Sequence, residues 1–173
     1  LGNILRDLGQ LDEAESLIRK AIKIKPDFEI TYFNLANILR DLGKLKESEF
    51  LIRKAINLKP NFAAAYANLG GLLNDLDNLR DAEISTRKAI EIAPDFSEAH
   101  NNLGIILKDL GKFNEAEISI RKAIKIKPDY AEAYSNLGII FQEQGNFKKA
   151  EFSQIQAIKI NPNFSEAYYT LGN

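Results

Sequence analysis

Few residues of this sequence could carry out catalysis. Its 173 residues include one histidine, His100, and no cysteine, which excludes a thiolate nucleophile, a disulfide framework and a zinc site with thiolate ligands. The segment Asp75-x-Asp77-x-Leu79 begins like a calcium-binding loop but lacks the central glycine and the terminal glutamate at the required spacing. No glycine-rich phosphate-binding motif is found either. We therefore expect no enzymatic activity, no catalytic residue, no cofactor and no bound metal.

Asparagine is the polar residue with the most regular placement. Asparagines recur at intervals of 34 residues, at Asn34, Asn68, Asn102 and Asn136. Because an amide both donates and accepts hydrogen bonds, such a column could hold the backbone N–H and C=O groups of an extended peptide, whatever the peptide's side chains. Alternatively, asparagine is a default residue of the repeat that hydrogen-bonds neighbouring helices or water. The sequence leaves both interpretations open.

The composition narrows the class of partner. Charges nearly cancel, with 23 Lys and Arg against 24 Asp and Glu, so no positive excess favours nucleic acid. Charged residues also recur too often to leave an apolar stretch of about 20 residues for a membrane span. The sequence has no secretory features. We expect a cytoplasmic protein whose partner is a protein or peptide, and neither a nucleic acid nor a membrane.

Five prolines indicate the elements that position these side chains. Each follows the last by 34 residues, at Pro26, Pro60, Pro94, Pro128 and Pro162. A fixed period of about 20 to 50 residues is typical of a solenoid, in which neighbouring units stack into one core. Within residues 63–96, apolar residues spaced by three and four predict a first helix from about Ala64 to Leu76 and a second from about Leu79 to Ile92. The predicted fold class is all-α, a solenoid of antiparallel helix–turn–helix hairpins.

The glycines mark two further positions of each repeat. One column lies between the paired helices, where a residue free to adopt positive φ ends the first helix: Gly9, Gly43, Gly111 and Gly145, with Asp77 in the third unit. The other lies in the middle of the first helix, at Gly2, Gly70, Gly104, Gly138 and Gly172, with Ala36 as the substitute. Glycine there costs roughly 1 kcal/mol against alanine, so we expect a close approach of the second helix to offset it.

Charged residues are placed as helix ends and faces require. Asp95-x-x-Glu98, Asp129-x-x-Glu132 and Asn163-x-x-Glu166 each predict a capping box at the start of a first helix. Second helices carry Glu and Arg four residues apart in the favourable order, at Glu15–Arg19, Glu49–Arg53, Glu83–Arg87 and Glu117–Arg121. These pairs predict solvated faces rather than binding patches.

The order of these residues resembles a known repeat. The pattern Tyr66-x2-Leu69-Gly70-x2-Leu73, followed by Ala82, Ala89 and Pro94, resembles the tetratricopeptide repeat. The resemblance covers the whole chain, as four complete repeats at 29–62, 63–96, 97–130 and 131–164, a partial repeat at 1–28 and the start of another at 165–173. The phrases Ala-Tyr-Ser-Asn-Leu-Gly at 133–138 and Lys-Pro-Asp-Phe at 25–28 are similar to repeats of the O-linked N-acetylglucosamine transferase type. We expect a segment of a longer array.

The resemblance implies a right-handed superhelix in which first helices line a concave groove and second helices cover the convex surface. His100 stands in a column otherwise occupied by tyrosine, so we interpret it as a packing aromatic rather than a catalytic group. The candidate groove residues are Asn34, Asn37, Arg40, Asp41, Asn68, Asn74, Asp75, Asn101, Asn102, Lys108, Asp109, Asn136, Gln142 and Glu143. Amides and carboxylates there would favour a polar or basic segment, unless the carboxylates are only caps and solvated charges.

Three functions follow as hypotheses. The first is a non-catalytic protein-interaction scaffold that binds an extended peptide or partner segment in the groove. The second is a structural spacer that self-associates end to end, because the terminal first helices are cut and should expose Leu1, Leu5 and Leu8 at one end and Tyr168 and Leu171 at the other. The third is a substrate-recruiting extension of a larger transferase, whose catalytic domain this sequence does not contain.

Overall fold

A computed structural model describes residues 2–171, with the side chains of Gly2, Asn3 and Asp7 left out of the description. Every regular element in this range is an α-helix. The elements are α1 (Gly2–Asp7), α2 (Leu11–Ile24), α3 (Glu29–Asp41), α4 (Leu45–Leu58), α5 (Ala63–Asp75), α6 (Leu79–Ile92), α7 (Ser97–Asp109), α8 (Phe113–Ile126), α9 (Ala131–Glu143), α10 (Phe147–Ile160) and α11 (Ser165–Leu171). The predicted all-α class is confirmed. Leu1 and Gly172, named above, lie outside the described residues.

The helices from α2 to α10 alternate between two lengths. First helices α3, α5, α7 and α9 have 13 residues each, and second helices α2, α4, α6, α8 and α10 have 14. Each complete hairpin packs its two helices against one another, and within each compact unit a second helix also packs against the first helix that follows it, as α4 does on α5 and α8 on α9. The predicted bounds of α6, Leu79 to Ile92, are confirmed. Helix α5 runs from Ala63 to Asp75, one residue earlier at each end than the predicted Ala64 to Leu76.

The chain forms two compact units. The N-terminal unit comprises Leu1–Ile92 and the C-terminal unit comprises Ala93–Asn173. Each unit has its own core of leucine, isoleucine and alanine, with Leu35, Ile52 and Leu72 in the first and Leu107 and Ile120 in the second all at most 1% exposed. The division into individual repeats at the residue bounds given above stays a prediction.

The turn inside each hairpin requires a left-handed backbone. Gly43 has φ 73° and Gly111 has φ 72°, and Asp77 adopts the same conformation with φ 59°. The prediction for this column is confirmed. Because a side chain at positive φ costs roughly 1–2 kcal/mol in the left-handed region, Asp77 is the one strained turn residue among those described.

The mid-helix glycines allow the close approach that the sequence predicts. A Cβ at Gly104 would lie 2.4 Å from Ile120 Cδ1, and one at Gly70 would overlap Thr86 Oγ1. A Cβ at Gly138 would lie 2.5 Å from Gln154 Nε2. The second helix therefore inserts a buried side chain into the space that the missing methyl group leaves.

The predicted capping boxes at Asp95 and Asp129 are wrong. The N-cap residues of α7 and α9 are Phe96 and Tyr130, and neither makes a side-chain capping hydrogen bond. Each aspartate precedes the N-cap by one residue. Phe96 is the N-cap of α7, since its carbonyl oxygen accepts the first hydrogen bond of the helix, from Ala99 N–H over 3.1 Å. The i,i+4 pairs, by contrast, form as predicted, with 2.8 Å between Arg121 Nε and Glu117 Oε1.

Candidate binding faces

Asparagine amides from adjacent first helices bond to one another in the N-terminal unit. Asn68 on α5 donates through Nδ2 to Asn37 Oδ1 on α3 over 2.6 Å. Both side chains are half-buried. The contact fixes the orientation of the Asn68 amide, whose carbonyl oxygen and second N–H remain for another partner. Asn34, one turn earlier on α3, is also half-buried.

The C-terminal unit also has a hydrogen bond between two asparagine amides, but the accepting asparagine stands at a different position of its first helix. Asn136 on α9 donates through Nδ2 to Asn101 Oδ1 on α7 over 3.0 Å. Asn101 is only 4% exposed, so among the candidates it can act only by orienting Asn136. Asn102 and Asn136 are half-buried. Each unit thus presents at least one amide held in place by a second amide.

The carboxylates near the ends of first helices are already paired in the N-terminal unit. Asp75 Oδ2 accepts from Arg40 Nη2 over 2.6 Å, and Asp41 accepts from Arg6. In the C-terminal unit Lys108 Nζ lies 2.9 Å from the adjacent Asp109. The predicted attraction for a basic segment is therefore weakened where arginine from the preceding first helix neutralises the acid.

The fourteen candidate residues all lie on first helices. They are Asn34, Asn37, Arg40 and Asp41 on α3; Asn68, Asn74 and Asp75 on α5; Asn101, Asn102, Lys108 and Asp109 on α7; Asn136, Gln142 and Glu143 on α9. The structure brings together the pairs described above. Their role in binding stays a prediction.

His100 makes the same hydrogen bond as a tyrosine at the equivalent position of another repeat. Its Nε2 lies 2.9 Å from the carbonyl oxygen of Pro94, and Tyr32 Oη lies 2.8 Å from that of Pro26. In both cases a polar atom of the aromatic side chain donates to the carbonyl of the preceding repeat's proline, six residues earlier. His100 is 9% exposed, and the packing interpretation fits this geometry.

Sequence reasoning missed two crevices lined by second helices. The N-terminal crevice lies among α4, α5 and α6, with a volume of about 700 Å³, and the C-terminal crevice lies among α8, α9 and α10, with a volume of about 460 Å³. Two 34-residue periods separate their linings. The shared positions are Arg53 and Arg121, Ile56 and Ile124, Tyr66 and Tyr134, Leu69 and Leu137, Ile84 and Phe152, Ser85 and Ser153.

One signal in the sequence could have revealed these crevices. In α4, α6, α8 and α10 an apolar residue recurs every 34 residues in the polar part of the helix, directly after Glu49, Glu83, Glu117 and Glu151. These residues are exposed, at 66% for Phe50, 67% for Ile84, 69% for Ile118 and 63% for Phe152. A search for buried apolar positions overlooks these residues, because they lie outside the apolar face of the helix.

The two crevices differ in charge. Every cation that lines the N-terminal crevice has an acidic partner: Arg53 with Glu49, Arg87 with Glu83 and Lys88 with Glu91. The hydrogen bond that Lys88 Nζ donates to Glu91 raises the pKa of Lys88. The C-terminal crevice carries Arg121, Lys125, Lys148 and Lys149, of which only Arg121 forms an ion pair among the described residues.

Neither a metal site nor a membrane-spanning helix is found in residues 2–171. No group of three or more His, Asp or Glu side chains in this range is arranged to hold a metal ion. None of its helices combines the length and the apolar character needed to cross a bilayer.

Solved structures with the same fold cover nearly the whole chain. TTC0263 of Thermus thermophilus, a TPR protein, matches with a TM-score of 0.88 at 21% identity over 99% of this chain and 94% of that one. YrrB, described as a TPR protein with an unusual peptide-binding site, gives 0.73 at 23% identity over 99% and 89%. MamA gives 0.77 at 23% identity over 96% and 97%. At these identities the likeness establishes the fold. Comparison with curated sequences yields no significant match.

Family models agree with this likeness in sequence. One model, described as TPR repeat, matches residues 2–43 and 106–145. Models described as tetratricopeptide repeat match 30–62 and 63–96, 86–118 and 131–164. The matched segments overlap or adjoin from residue 2 to residue 164. The chain therefore belongs to the tetratricopeptide-repeat family.

Proposed function

We propose that this protein is a non-catalytic interaction scaffold that holds an extended segment of a partner protein against its first helices. The observation that carries this proposal is the pair of oriented amides, Asn68 held by Asn37 and Asn136 held by Asn101. Each oriented amide keeps an acceptor and a donor, which are the groups that an extended backbone needs. The peptide-binding site named for YrrB supports such a use of this fold.

Selectivity would come from positions that differ between repeats. The position filled by Arg40 in α3 is filled by Asn74 in α5, Lys108 in α7 and Gln142 in α9. The following residue is acidic in each case, and it is neutralised in the N-terminal unit by arginine. A bound segment would therefore meet a nearly neutral polar surface there. Amide contacts to its backbone would dominate over charge.

The experiment is a peptide selection followed by substitution of the amides. A displayed random-peptide library is enriched on the purified chain, and the affinity of one selected peptide is measured by isothermal titration calorimetry. Replacing Asn68, Asn102 and Asn136 by alanine should weaken binding about tenfold or more, since two or three hydrogen bonds are lost. The double variant Asn57→Ala/Asn114→Ala, on second helices, serves as the matched control and should bind as the parent does.

Two outcomes contradict the proposal. One is a selection that enriches no sequence, and the other is a triple variant that binds its peptide as tightly as the parent. Circular dichroism at the temperature of the titration establishes that each variant is folded. Loss of the bond from Asn68 to Asn37 should cost only about 1 kcal/mol of stability, so unfolding would not mimic lost binding.

Self-association is a second candidate function, favoured by the exposed apolar residues of α11 and of the α1–α2 turn. Leu8 is 68% exposed, Tyr168 52% and Leu171 37%. Sedimentation velocity over a wide range of protein concentration tests it. A shift to larger species with concentration, abolished by Leu8→Ser, is the expected result, and a constant monomer value contradicts it.

We also propose that the array recruits substrates for a larger transferase, since its repeats resemble those of the O-linked N-acetylglucosamine transferase type. The resemblance rests on Ala-Tyr-Ser-Asn-Leu-Gly at 133–138 and Lys-Pro-Asp-Phe at 25–28. If the array recruits substrates for a larger transferase, the same amides would hold the substrate. The selection experiment above tests that step directly.

A further inference from the structure

The C-terminal crevice combines an apolar floor with a cationic rim. Leu137 and Phe141 of α9 are 4% and 3% exposed and form part of its lining. Ile124 of α8 adds to the floor. Phe141 is the aromatic exception in a column that elsewhere holds leucine. The lining thus offers contact for a large apolar group.

Cations stand around this floor on two helices. Lys125 lies near the end of α8, whereas Lys148 and Lys149 lie in the first turn of α10. Lys149 Nζ is 5.2 Å from the ring centroid of Phe141, and Arg121 Cζ is 5.7 Å from the same centroid. Cations over an aromatic face are attracted by its quadrupole. These contacts keep two positive groups at the crevice.

The lysine charges are not neutralised within the described residues. Lys125 and Lys148 form no ion pair there, and the ammonium group of Lys149 lies against the Phe141 ring rather than a carboxylate. Arg121 is paired with Glu117. The rim therefore carries three uncompensated positive charges beside an apolar cavity. Phe152, also part of the lining, remains 63% exposed.

We propose that this crevice binds an acidic segment of a partner protein, which inserts one large apolar side chain between flanking carboxylates. The volume of about 460 Å³ falls within the range of ligand pockets and accommodates such a side chain. Because the lysines stand on both α8 and α10, complementary charge is needed on both sides of the inserted group. A peptide supplies this arrangement along its chain, whereas an amphiphile with one headgroup carries charge at one end only.

This inference is independent of the amide contacts proposed above. The crevice is lined mainly by second helices, and none of the fourteen first-helix candidates belongs to its lining. The N-terminal crevice supplies an internal control, because its lining shares the apolar positions of Ile124, Tyr134, Leu137 and Phe152. It has no counterpart of Phe141 in its lining, and its cations are paired. We expect the unpaired charge to decide which crevice binds an acidic segment.

The test uses a fluorescein-labelled peptide, Glu-Asp-Phe-Glu-Asp with both ends blocked, and fluorescence anisotropy with the full chain. Saturable binding is expected, and it should weaken with added salt because exposed charges are screened. The variant Lys125→Ser/Lys148→Ser/Lys149→Ser should lose about tenfold or more in affinity. The control variant Arg53→Ser/Arg87→Ser/Lys88→Ser should bind as the parent does. The triple asparagine variant should also bind unchanged.

A second peptide separates the apolar contribution from the charge. Glu-Asp-Ser-Glu-Asp should bind about tenfold more weakly than the phenylalanine peptide, because it buries no large side chain. Equal binding of the two peptides, equal binding by the lysine variant, or no saturable binding by the parent would each overturn the proposal. So would lysine-dependent binding to phosphatidylserine vesicles without binding to the peptide. Circular dichroism checks that every variant is folded.

Discussion

The two crevices use one repeat scaffold but differ in charge. Arg53 and Arg121 occupy equivalent positions, and each is paired with the glutamate four residues before it. Beyond that pair, the N-terminal crevice neutralises its cations with Glu83 and Glu91, whereas the C-terminal crevice has three lysines without acidic partners among the described residues. The difference teaches that the period fixes the packing positions, while exposed positions between them are free to specify a ligand.

The cores of the two units differ at equivalent positions too. Ile120 fills the space over Gly104 in the C-terminal unit, and Thr86 fills the space over Gly70 in the N-terminal unit. Both side chains are fully buried. The Thr86 hydroxyl has no hydrogen-bond partner among the described residues, whereas Ile120 places no polar atom at the equivalent position; the C-terminal unit has unpartnered buried oxygens elsewhere, at Ser135 Oγ and Gln154 Oε1.

The largest expected effect on stability comes from placing a buried threonine in the C-terminal unit, at a position equivalent to Thr86. Ile120→Thr should lower the free energy of unfolding by about 3 kcal/mol, because it removes buried apolar volume and buries a hydroxyl. The opposite change, Thr86→Val, should raise the free energy of unfolding by about 1 kcal/mol, since valine has the shape of threonine without the unsatisfied hydroxyl. Urea unfolding measures both. A loss below about 1 kcal/mol for Ile120→Thr would show that the column is not tightly packed.

The second effect transfers the lysines to the other crevice. Asn57 and Asp81 correspond by two periods to Lys125 and Lys149, and Arg80 already corresponds to Lys148. In a background carrying the three lysine-to-serine changes, Asn57→Lys/Asp81→Lys should restore about tenfold in affinity for the acidic phenylalanine peptide. The neutral control is Asn57→Gln/Asp81→Asn. Failure of the lysine pair to exceed this control in anisotropy titrations would mean that shape also separates the crevices.

The third effect concerns the turns. Asp77→Gly should stabilise the chain by about 1 kcal/mol, because glycine relieves the φ of 59°. Gly111→Asp should destabilise it by a similar amount, since it introduces the same strain at φ 72°. Thermal unfolding followed by circular dichroism compares the two. Equal melting temperatures for parent and Asp77→Gly would show that the aspartate is not strained.

The smallest effect is expected at the ion pair between first helices. Asp75→Asn removes the charge that pairs with Arg40, but the two side chains are 41% and 37% exposed. Exposed pairs contribute about 0–1 kcal/mol, so stability in urea should fall by less than about 1 kcal/mol, and the change should shrink in high salt. A larger loss would indicate that the pair fixes the packing of α3 against α5.

Much of the fold follows from the sequence because its causes are local and periodic. Gly111 predicts its left-handed turn, and Gly104 predicts the close approach of the second helix, which Ile120 makes, because each depends on a steric property of glycine. Asp95 misleads, since its spacing to Glu98 matches a capping box while Phe96 takes the N-cap. The exact residue at which a helix begins or ends depends on tertiary packing, which the sequence pattern does not contain.

The candidate sites were predictable only in part. The asparagine column is visible in the sequence, but the partner of each amide is not: Asn68 bonds to Asn37, whereas Asn136 bonds to Asn101. The crevices escaped prediction because their linings come from three helices and their charge depends on which carboxylates reach which cations. Lys148 looks like any other solvated lysine until α8 and α9 are placed beside it.

One measurement tests the central claim that unpaired charge directs an acidic segment to the C-terminal crevice, although both crevices share most of their lining positions. Ile124 and Ile56 occupy the same position in the C-terminal and N-terminal crevices, so their methyl groups are matched NMR reporters. On titration with the acidic phenylalanine peptide, the account predicts saturable chemical-shift changes at Ile124 and none at Ile56. Equal changes at the two methyl groups, or changes at Ile56 alone, would contradict it.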